Sequence, residues 1–307
     1  MKKAYIAILI FTICACSGER ALPGKQQPDQ GPPSPVTEAY ELIQSTGKEK
    51  GLLVLFGGFP ETPEDVKREF DILDMAQKND ISILLMRFNK RLWLEASEKQ
   101  ALKTILEEAV ERHQLSKDNL FIGGFSSGGN ISLLLSSYLH AQQSSLQPKG
   151  IFIVDSPVDL LQLYRCSQRN IERKFSAISM KESQRTVNSF DEYFGPAAKG
   201  IKKYEEYSPY ISQTENIRNL ASLKDTKIRL YTEPDTTWWK VNRQNEYEDL
   251  NACYIKKLAQ QLQKQLGNQQ VELIETEGKG YRANGYRHPH SWSIVDKKDL
   301  FDWMLNR

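Results

Sequence analysis

The feature that most constrains the fold of this chain is a repeated alternation of short apolar runs with longer amphipathic segments. Short continuous apolar runs are typical of strands that are buried on both faces of a sheet. The runs lie at residues 52–56, 81–88, 120–123, 151–154, 228–231 and 271–274. Parallel strands need crossovers, and helices supply them on both sheet faces. The sequence therefore predicts an α/β fold with a mostly parallel central sheet and helices on both faces.

The segments between the runs contain helix signals. Thr62 precedes Pro63 and is followed three residues later by Asp65, the pattern of a capped helix start. Apolar residues then recur at the helical period as far as residue 77. Further helices are predicted at residues 102–110, 131–139, 244–266 and 292–305. Residues 36–51 leave room for only one short strand before the first long run, so we expect a sheet with few N-terminal strands.

Residues 157–209 interrupt this alternation. The segment is rich in Tyr, Arg, Ser and Gln and contains no obvious buried strand. One interpretation is a small lid or cap inserted after the run at residues 151–154. The alternative is a helical surface excursion that has no role in substrate access.

The composition is that of a folded domain of enzyme size. Hydrophobic residues make up 39% of the 307 residues, which is enough for one sizeable core. The 41 Lys and Arg residues nearly balance the 39 Asp and Glu residues, giving a formal net charge of +2. Because this nearly balanced charge creates no strong positive potential that would attract a polyanion, we expect no nucleic-acid partner.

Residues 1–15 are typical of a secretion signal. Two lysines precede an apolar run at residues 4–13, which is about half of the roughly 20 residues that a membrane-spanning helix needs. The sequence Ile13-Cys14-Ala15-Cys16 resembles a bacterial lipobox, in which the cysteine after the cleavage site becomes acylated. We therefore expect lipidation at Cys16, export, and anchoring to a membrane of the bacterial cell envelope. The alternative is a plain signal peptide with two unmodified cysteines.

The segment after the predicted cleavage site differs from the rest of the chain. Residues 16–35 are rich in Pro, Gly and Gln and are predicted to be a disordered tether, because they cannot bury apolar area. Residues 36–307 form the predicted globular domain. Its two cysteines are Cys166 and Cys253. An oxidising compartment would permit a disulfide between them, and two separate buried thiols are the alternative.

The most informative motif follows the apolar run at residues 120–123. Gly124-Phe125-Ser126-Ser127-Gly128 matches G-x-S-x-G, lodged between a predicted strand and a predicted helix. A serine raised on a sharp strand-to-helix turn needs neighbours without side chains two positions before and after it. Ser126 meets this condition, whereas Ser127 has Phe125 two positions before it. The motif predicts Ser126 as a nucleophile.

On this motif and its context, the sequence resembles the α/β-hydrolase family over residues 36–307. It is most similar to esterase and peptidase-like members that have an extra segment before the acid residue. The resemblance implies a serine, an acid and a histidine in that order along the chain. The histidine would take the serine proton, and the acid would hold the histidine in place.

The resemblance places the general base in the loop before the last helix. His290 is the predicted base because His290-Ser291-Trp292 leads into that helix. His288 is the alternative. His113 and His140 lie near predicted helix ends and are expected to be surface residues.

The resemblance places the acid after the run at residues 228–231. Asp235 is the predicted acid, and Glu233 is close enough to compete. The glycine that usually precedes the acid in the family is missing here. A turn residue after proline is the alternative role for Asp235.

The resemblance also implies two backbone donors for an oxyanion. One is the N–H of Ser127. The other is the N–H of Gly58 or Phe59, in a loop that looks like the family's His-Gly-Gly segment with Phe56 in place of histidine. A simple glycine turn is the alternative for this loop.

The predicted function is hydrolysis of a carboxylic ester or related acyl bond in a small-molecule substrate. Ser126, His290 and Asp235 would act through an acyl-enzyme. No cofactor and no metal are expected, since metal-ligand spacings and a dinucleotide fingerprint are missing from the sequence. A serine peptidase is one alternative, and a non-catalytic lipoprotein of the same fold that binds a ligand or partner is another.

Overall fold

The computed structural model describes residues 38–306. The predicted signal peptide, Cys16 and the predicted tether lie outside the described residues. Among residues 38–306, no helix is both long enough and apolar enough to cross a membrane.

Seven strands form one sheet in the order β1-β3-β2-β4-β5-β6-β7. The strands are β1 (Tyr40–Ile43), β2 (Gly51–Phe56), β3 (Ile81–Met86), β4 (Leu120–Phe125), β5 (Gly150–Val154), β6 (Lys227–Thr232) and β7 (Val271–Glu275). Only β1 runs antiparallel to its neighbour in this sheet, and it is the one short strand expected before residue 52. The predicted mostly parallel sheet is confirmed.

Ten α-helices accompany the sheet in residues 38–306. They are α1 (Pro63–Phe70), α2 (Leu73–Lys78), α3 (Ala96–Arg112), α4 (Ser127–Ala141), α5 (Leu160–Arg173), α6 (Ala177–Tyr193), α7 (Lys202–Tyr207), α8 (Thr236–Arg243), α9 (Asn251–Leu266) and α10 (Lys297–Leu305). Short 3-10 turns lie between several of them.

The two faces of the sheet are covered by different helices. Side chains of α1, α2 and α10 pack on one face, against residues such as Leu53 and Phe152. Side chains of α3, α4 and α9 pack on the other face, against residues such as Val54 and Ile153. Because adjacent residues of a strand point to opposite faces, strands buried on both sides are apolar throughout. This explains why β2 and β5 appear in the sequence as unbroken apolar runs.

Several helix boundaries differ from the predictions. The capping box of Thr62 and Asp65 begins α1 as predicted. That helix ends at Phe70, and its C-cap Asp71 has a left-handed φ of 47° that separates it from α2. The predicted helix at residues 244–266 begins only at Asn251, after the separate α8. The helix predicted to start at residue 292 is a 3-10 turn followed by α10.

The segment between β5 and β6 is helical and has a small aromatic core of its own. Helices α5 and α7 contribute Tyr164 and Tyr204, and Phe190 of α6 packs with them. Trp93, from the loop after β3, completes this cluster. The segment is therefore a packed layer over one end of the sheet, and Cys166 of α5 lines a cavity beneath it. Cys166 and Cys253 are separate buried thiols.

The carboxyl ends of the parallel strands meet at one edge of the sheet. Residues that follow β2, β4, β5 and β6 therefore lie near one another, and in open α/β sheets this is the edge where ligands bind.

Candidate active site

Ser126 stands at the corner between β4 and α4. Its backbone has φ 52° and ψ −123°, and its N–H donates to the Val154 carbonyl at 2.9 Å. A non-glycine residue at positive φ is strained and requires firm support from its surroundings. A Cβ on Gly124 would overlap the backbone of Gly128, and one on Gly128 would overlap the Phe56 carbonyl. The two glycines of the motif are therefore needed for strand and helix to approach, as the sequence predicted.

His290 lies beside this corner, and a carboxylate holds it there. Its Nδ1 is 2.6 Å from Oδ2 of Asp155, and its ring centroid is 4.4 Å from that of Phe125. Donation from Nδ1 to a carboxylate leaves Nε2 with a free lone pair. The imidazole therefore has the tautomer that a general base needs.

Asp155 is fixed from several directions. It follows β5 directly, has φ 44°, and its backbone N–H donates to Tyr231 at 2.8 Å. The hydroxyl of Thr232 donates to its Oδ1 at 2.7 Å, while its Oδ2 faces His290. Its carbonyl accepts from the Asn251 amide at 2.8 Å. Asp155 is only 5% exposed, and Thr232 and His290 hold its carboxylate while Asn251 holds its main chain.

The structure does not pair Asp235, the predicted acid, with His290. Asp235 caps α8 by accepting from the Trp238 N–H at 2.8 Å, and its Oδ2 lies 2.6 Å from the guanidinium of Arg287. The physical reason is that the loop after β7 brings Arg287 to this carboxylate and brings the imidazole of His290 to the end of β5. The hydrogen bond from Trp238 N–H agrees with the alternative role predicted for Asp235, that of a turn residue after proline.

Glu233, the competing acid, is also engaged elsewhere. Its Oε2 accepts from the hydroxyl of Thr276 and from the N–H groups of Lys279 and Gly280, at 2.7–3.1 Å. Its Oε1 is 2.5 Å from Arg287. Glu233 therefore anchors the first part of the loop that leads to His290.

His288, the alternative base, is packed among aromatic rings. Its centroid is 4.7 Å from Trp238 and 5.7 Å from Trp239. Its Nδ1 is buried with no hydrogen-bond partner among residues 38–306. Burial, reinforced by the positive charges around it, lowers the pKa of His288 to about 3. This ring is a neutral packing group at ordinary pH.

The predicted oxyanion loop approaches the nucleophile closely. A Cβ on Gly58 would lie 3.1 Å from the Ser126 Cβ. However, the N–H of Gly58 donates to Oε2 of Glu61 at 2.8 Å, so it is not free to bind an oxyanion. The N–H of Phe59 donates to the Ser127 hydroxyl at 2.8 Å. Within residues 38–306, the backbone N–H of Ser127 forms no hydrogen bond.

Glu61 was not singled out by the sequence. It accepts from the indole N–H of Trp292 at 3.1 Å as well as from Gly58. Burial raises the pKa of Glu61 above its ordinary value, and these two donors, together with the nearby Arg282 and His290, offset only part of that rise. Glu61 ties the loop after β2 to the end of the His290 loop.

Two adjoining cavities open above the nucleophile, with volumes of about 370 and 410 Å³. Ser126 and His290 line both. Within residues 38–306, the Ser126 hydroxyl forms no direct hydrogen bond. In many free enzymes the hydrogen bond between the nucleophile and its general base forms only when substrate binds. Much of the wall is polar, and α5 and α6 contribute Asn170, Glu182 and Ser183 to both cavities.

The other two histidines and Trp292 make contacts of a structural kind. His113 lies at the end of α3, 3.0 Å from the Tyr40 hydroxyl, and His140 contacts the Pro148 carbonyl at 3.1 Å. Trp292 is buried and stacks on Phe70 at 4.3 Å. In the described part of the chain, no group of three or more His, Cys, Asp or Glu side chains is placed to hold a metal ion.

Comparison with solved structures identifies the fold. The Francisella virulence factor BioJ superposes with a TM-score of 0.56 at 15% identity, covering 87% of this chain and 81% of its own. Mycobacterium tuberculosis MPT51 gives 0.54 at 10% identity, covering 90% and 98%. The substrate-bound Staphylococcus aureus fluorophosphonate-binding serine hydrolase FphF gives 0.53 at 12% identity, covering 87% and 92%.

No protein-family model and no curated protein matches the sequence. The likeness to solved structures is accordingly one of fold. The mostly parallel, seven-stranded sheet with helices on both faces agrees with it. The chain has the α/β-hydrolase fold.

Proposed function

We propose that this protein is a serine hydrolase that cleaves carboxylic esters through Ser126, His290 and Asp155. The observation that supports it most strongly is the 2.6 Å contact between His290 Nδ1 and Asp155, in a cavity that Ser126 also lines. A serine hydroxyl is a weak nucleophile unless an adjacent base takes its proton. The carboxylate, the imidazole and the strained serine corner support the proposal that His290 is this base.

The reaction proceeds in two halves. The Ser126 hydroxyl attacks the ester carbonyl, and Nε2 of His290 takes its proton. Asp155 stabilises the resulting imidazolium, which then gives the proton to the leaving alcohol. His290 then takes a proton from water as the water attacks the acyl-enzyme. The carboxylic acid product is released, and the hydroxyl of Ser126 is restored.

The oxyanion is stabilised from two directions in this proposal. The first donor is the backbone N–H of Ser127, which is unpaired in the described residues. The second is a relay in which Phe59 N–H donates to the Ser127 hydroxyl and this hydroxyl donates to the oxyanion. Hydrogen bonds in series polarise one another, so the Phe59 N–H strengthens the hydrogen bond from the Ser127 hydroxyl to the oxyanion.

Hydrolysis of 4-nitrophenyl acetate tests the proposal. Ser126→Ala and His290→Ala are expected to lower kcat by about 10⁴-fold or more, because the serine and histidine of such a set act as a unit. Retention of activity in both variants would contradict the assignment. Aminoacyl-amide substrates measured alongside separate an esterase from a serine peptidase.

The relay has its own test. Ser127→Ala keeps the backbone N–H and removes the hydroxyl, so kcat is expected to fall about 10- to 100-fold. Unchanged or increased activity would contradict the relay.

A non-catalytic, ligand-binding protein is the second candidate. The engagement of both Gly58 N–H and Phe59 N–H favours it, because the loop offers no free donor. Absence of activity on both ester and amide substrates would support this candidate.

We further propose that the chain is exported and lipidated at Cys16, on the basis of its N-terminal sequence. Cys16→Ala is expected to release the protein from membranes in the producing bacterium. Unchanged membrane association would argue against lipidation.

A further inference from the structure

Two half-buried arginines line the 410 Å³ cavity beside Ser126 and His290. They are Arg243 and Arg282. Within residues 38–306, neither guanidinium lies within ion-pair distance of a carboxylate. Partial burial of a charge is costly unless an opposite charge accompanies it. The cavity therefore has a place for an anion beside two guanidinium groups that form no ion pair within residues 38–306.

Arg282 lies on the imidazole side of the nucleophile. Its guanidinium carbon is 5.6 Å from the centroid of Phe125, whose ring packs at 4.4 Å on His290. A turn holds the residue, since Arg282 N–H donates to Tyr286 and its carbonyl accepts from Gly285, both at 2.8 Å. The guanidinium is thus carried on a fixed loop next to the general base.

Arg243 approaches the same region from another element. It is the last residue of α8, and Trp239 of that helix also lines the cavity. Trp239 contacts His288, and the charges of both arginines contribute to lowering the pKa of His288. The two positive charges therefore converge around the His288 ring, one from the end of α8 and one from the loop after β7.

Two carboxylates line the same cavity and need to be considered. Glu61 is held by Gly58 N–H and the Trp292 indole. Glu182 is exposed on α6 and, in the described residues, forms no ion pair with either arginine. Arg282 is near enough to Glu61 to lower its pKa, so Glu61 offsets part of the Arg282 charge from beyond ion-pair distance. Within residues 38–306, neither carboxylate forms an ion pair with Arg282 or Arg243.

The reaction chemistry says which part of a substrate meets them. The general base gives its proton to the leaving alcohol, so the alcohol part of an ester lies on the imidazole side. The arginines lie on that side too. Building on the proposed function, we propose that the preferred esters carry a carboxylate or similar anion on their alcohol part, and that Arg282 and Arg243 bind it.

A matched pair of substrates tests this. The first is 4-acetoxy-3-nitrobenzoate, whose leaving phenol carries a carboxylate, and the second is the neutral methyl ester of that benzoate. The wild type is expected to favour the anionic substrate by at least about tenfold in kcat/KM, chiefly through KM. Added salt is expected to reduce the preference.

Variants assign the preference to the arginines. Arg282→Gln is expected to lower the ratio of kcat/KM for the two substrates about tenfold, Arg282→Lys to retain part of it, and Arg243→Gln to lower it less. Arg218→Gln is the control, because Arg218 is an exposed arginine outside both cavities. Equal rates on both substrates in the wild type, or a ratio unaffected by either Gln variant, would overturn the proposal.

A second arm locates the anion. Mono-4-nitrophenyl succinate carries its carboxylate on the acyl part and is compared with 4-nitrophenyl butyrate. No comparable preference is expected there, and a preference found only in this pair would overturn the placement on the alcohol side. Hydrolysis of the neutral esters reports on the proposed function itself, so its failure is distinguishable from failure of the anion site.

Discussion

The neighbouring strands β5 and β6 both end in carboxylates, and these carboxylates have different partners. After β5, Asp155 faces His290. After β6, Glu233 and Asp235 both face Arg287, and Glu233 also receives two backbone N–H groups. One strand end orients an imidazole, and the other holds the loop that delivers it. A carboxylate's position after a strand therefore does not by itself fix its role, since the opposing loop decides what it meets.

The largest expected effect separates Asp155 from the other two carboxylates. Asp155→Asn is expected to lower kcat/KM for ester hydrolysis about 10³- to 10⁴-fold, because an amide no longer holds the imidazole in its working tautomer. The measurement is steady-state hydrolysis of 4-nitrophenyl acetate. A loss of less than tenfold would contradict the assignment.

The next effect concerns the stability contributed by the end of β6. Glu233→Gln is expected to lower the free energy of unfolding by about 2–4 kcal/mol, because it breaks a buried charge network around Arg287. Urea denaturation measures it. Glu272→Gln is the matched control: it also pairs with an arginine, Arg229, but its side chain is 44% exposed. It is expected to change stability by less than about 1 kcal/mol.

A third test uses the two histidines of the loop, of which only His290 has a carboxylate partner in the described residues. The folded-state pKa of His288 lies at about 3, below its ordinary value of 6.5. As pH falls below about 6.5, His288 binds a proton in the unfolded chain but stays neutral in the folded protein, so the free energy of unfolding decreases. Its neighbours His290, Arg282 and Arg243 act in the same direction.

His288→Gln removes this term. Relative to the variant, the wild type is expected to lose about 1–2 kcal/mol of unfolding free energy between pH 7 and pH 5. Parallel urea titrations at both pH values measure the difference. A constant difference across this range would show that His288 accepts a proton in the folded state.

The smallest effect is expected at Asp235. Asparagine can still cap α8, and the lost ion pair with Arg287 is partly exposed. Asp235→Asn is therefore expected to change stability by less than about 1 kcal/mol and ester kcat/KM by less than about threefold. A fall of the size expected for Asp155→Asn would show that Asp235, which follows β6, is the acid that supports His290.

The sequence was sufficient for features that depend on neighbouring residues. The apolar runs located all the long strands, and the spacing of Gly124 and Gly128 around Ser126 reflects a local steric requirement. The capping box at Thr62 is equally local.

Features that depend on the path of distant loops could not be read in the same way. Asp155 directly follows an apolar run, and that position was the one signal that could have drawn attention to it. Whether the loop after β7 turns toward β5 or β6 depends on contacts such as Glu233 with Gly280, more than forty residues apart. The engagement of Gly58 by Glu61 depends likewise on Trp292, which anchors that carboxylate from the far end of the chain.

The rate at which a fluorophosphonate labels Ser126, followed by peptide mapping, tests the central claim most directly. The wild type is expected to carry the adduct on Ser126, Asp155→Asn to label at least about 100-fold more slowly, and Asp235→Asn to label near the wild-type rate. An adduct on another residue, or slow labelling in the Asp235 variant with normal labelling in the Asp155 variant, would contradict it.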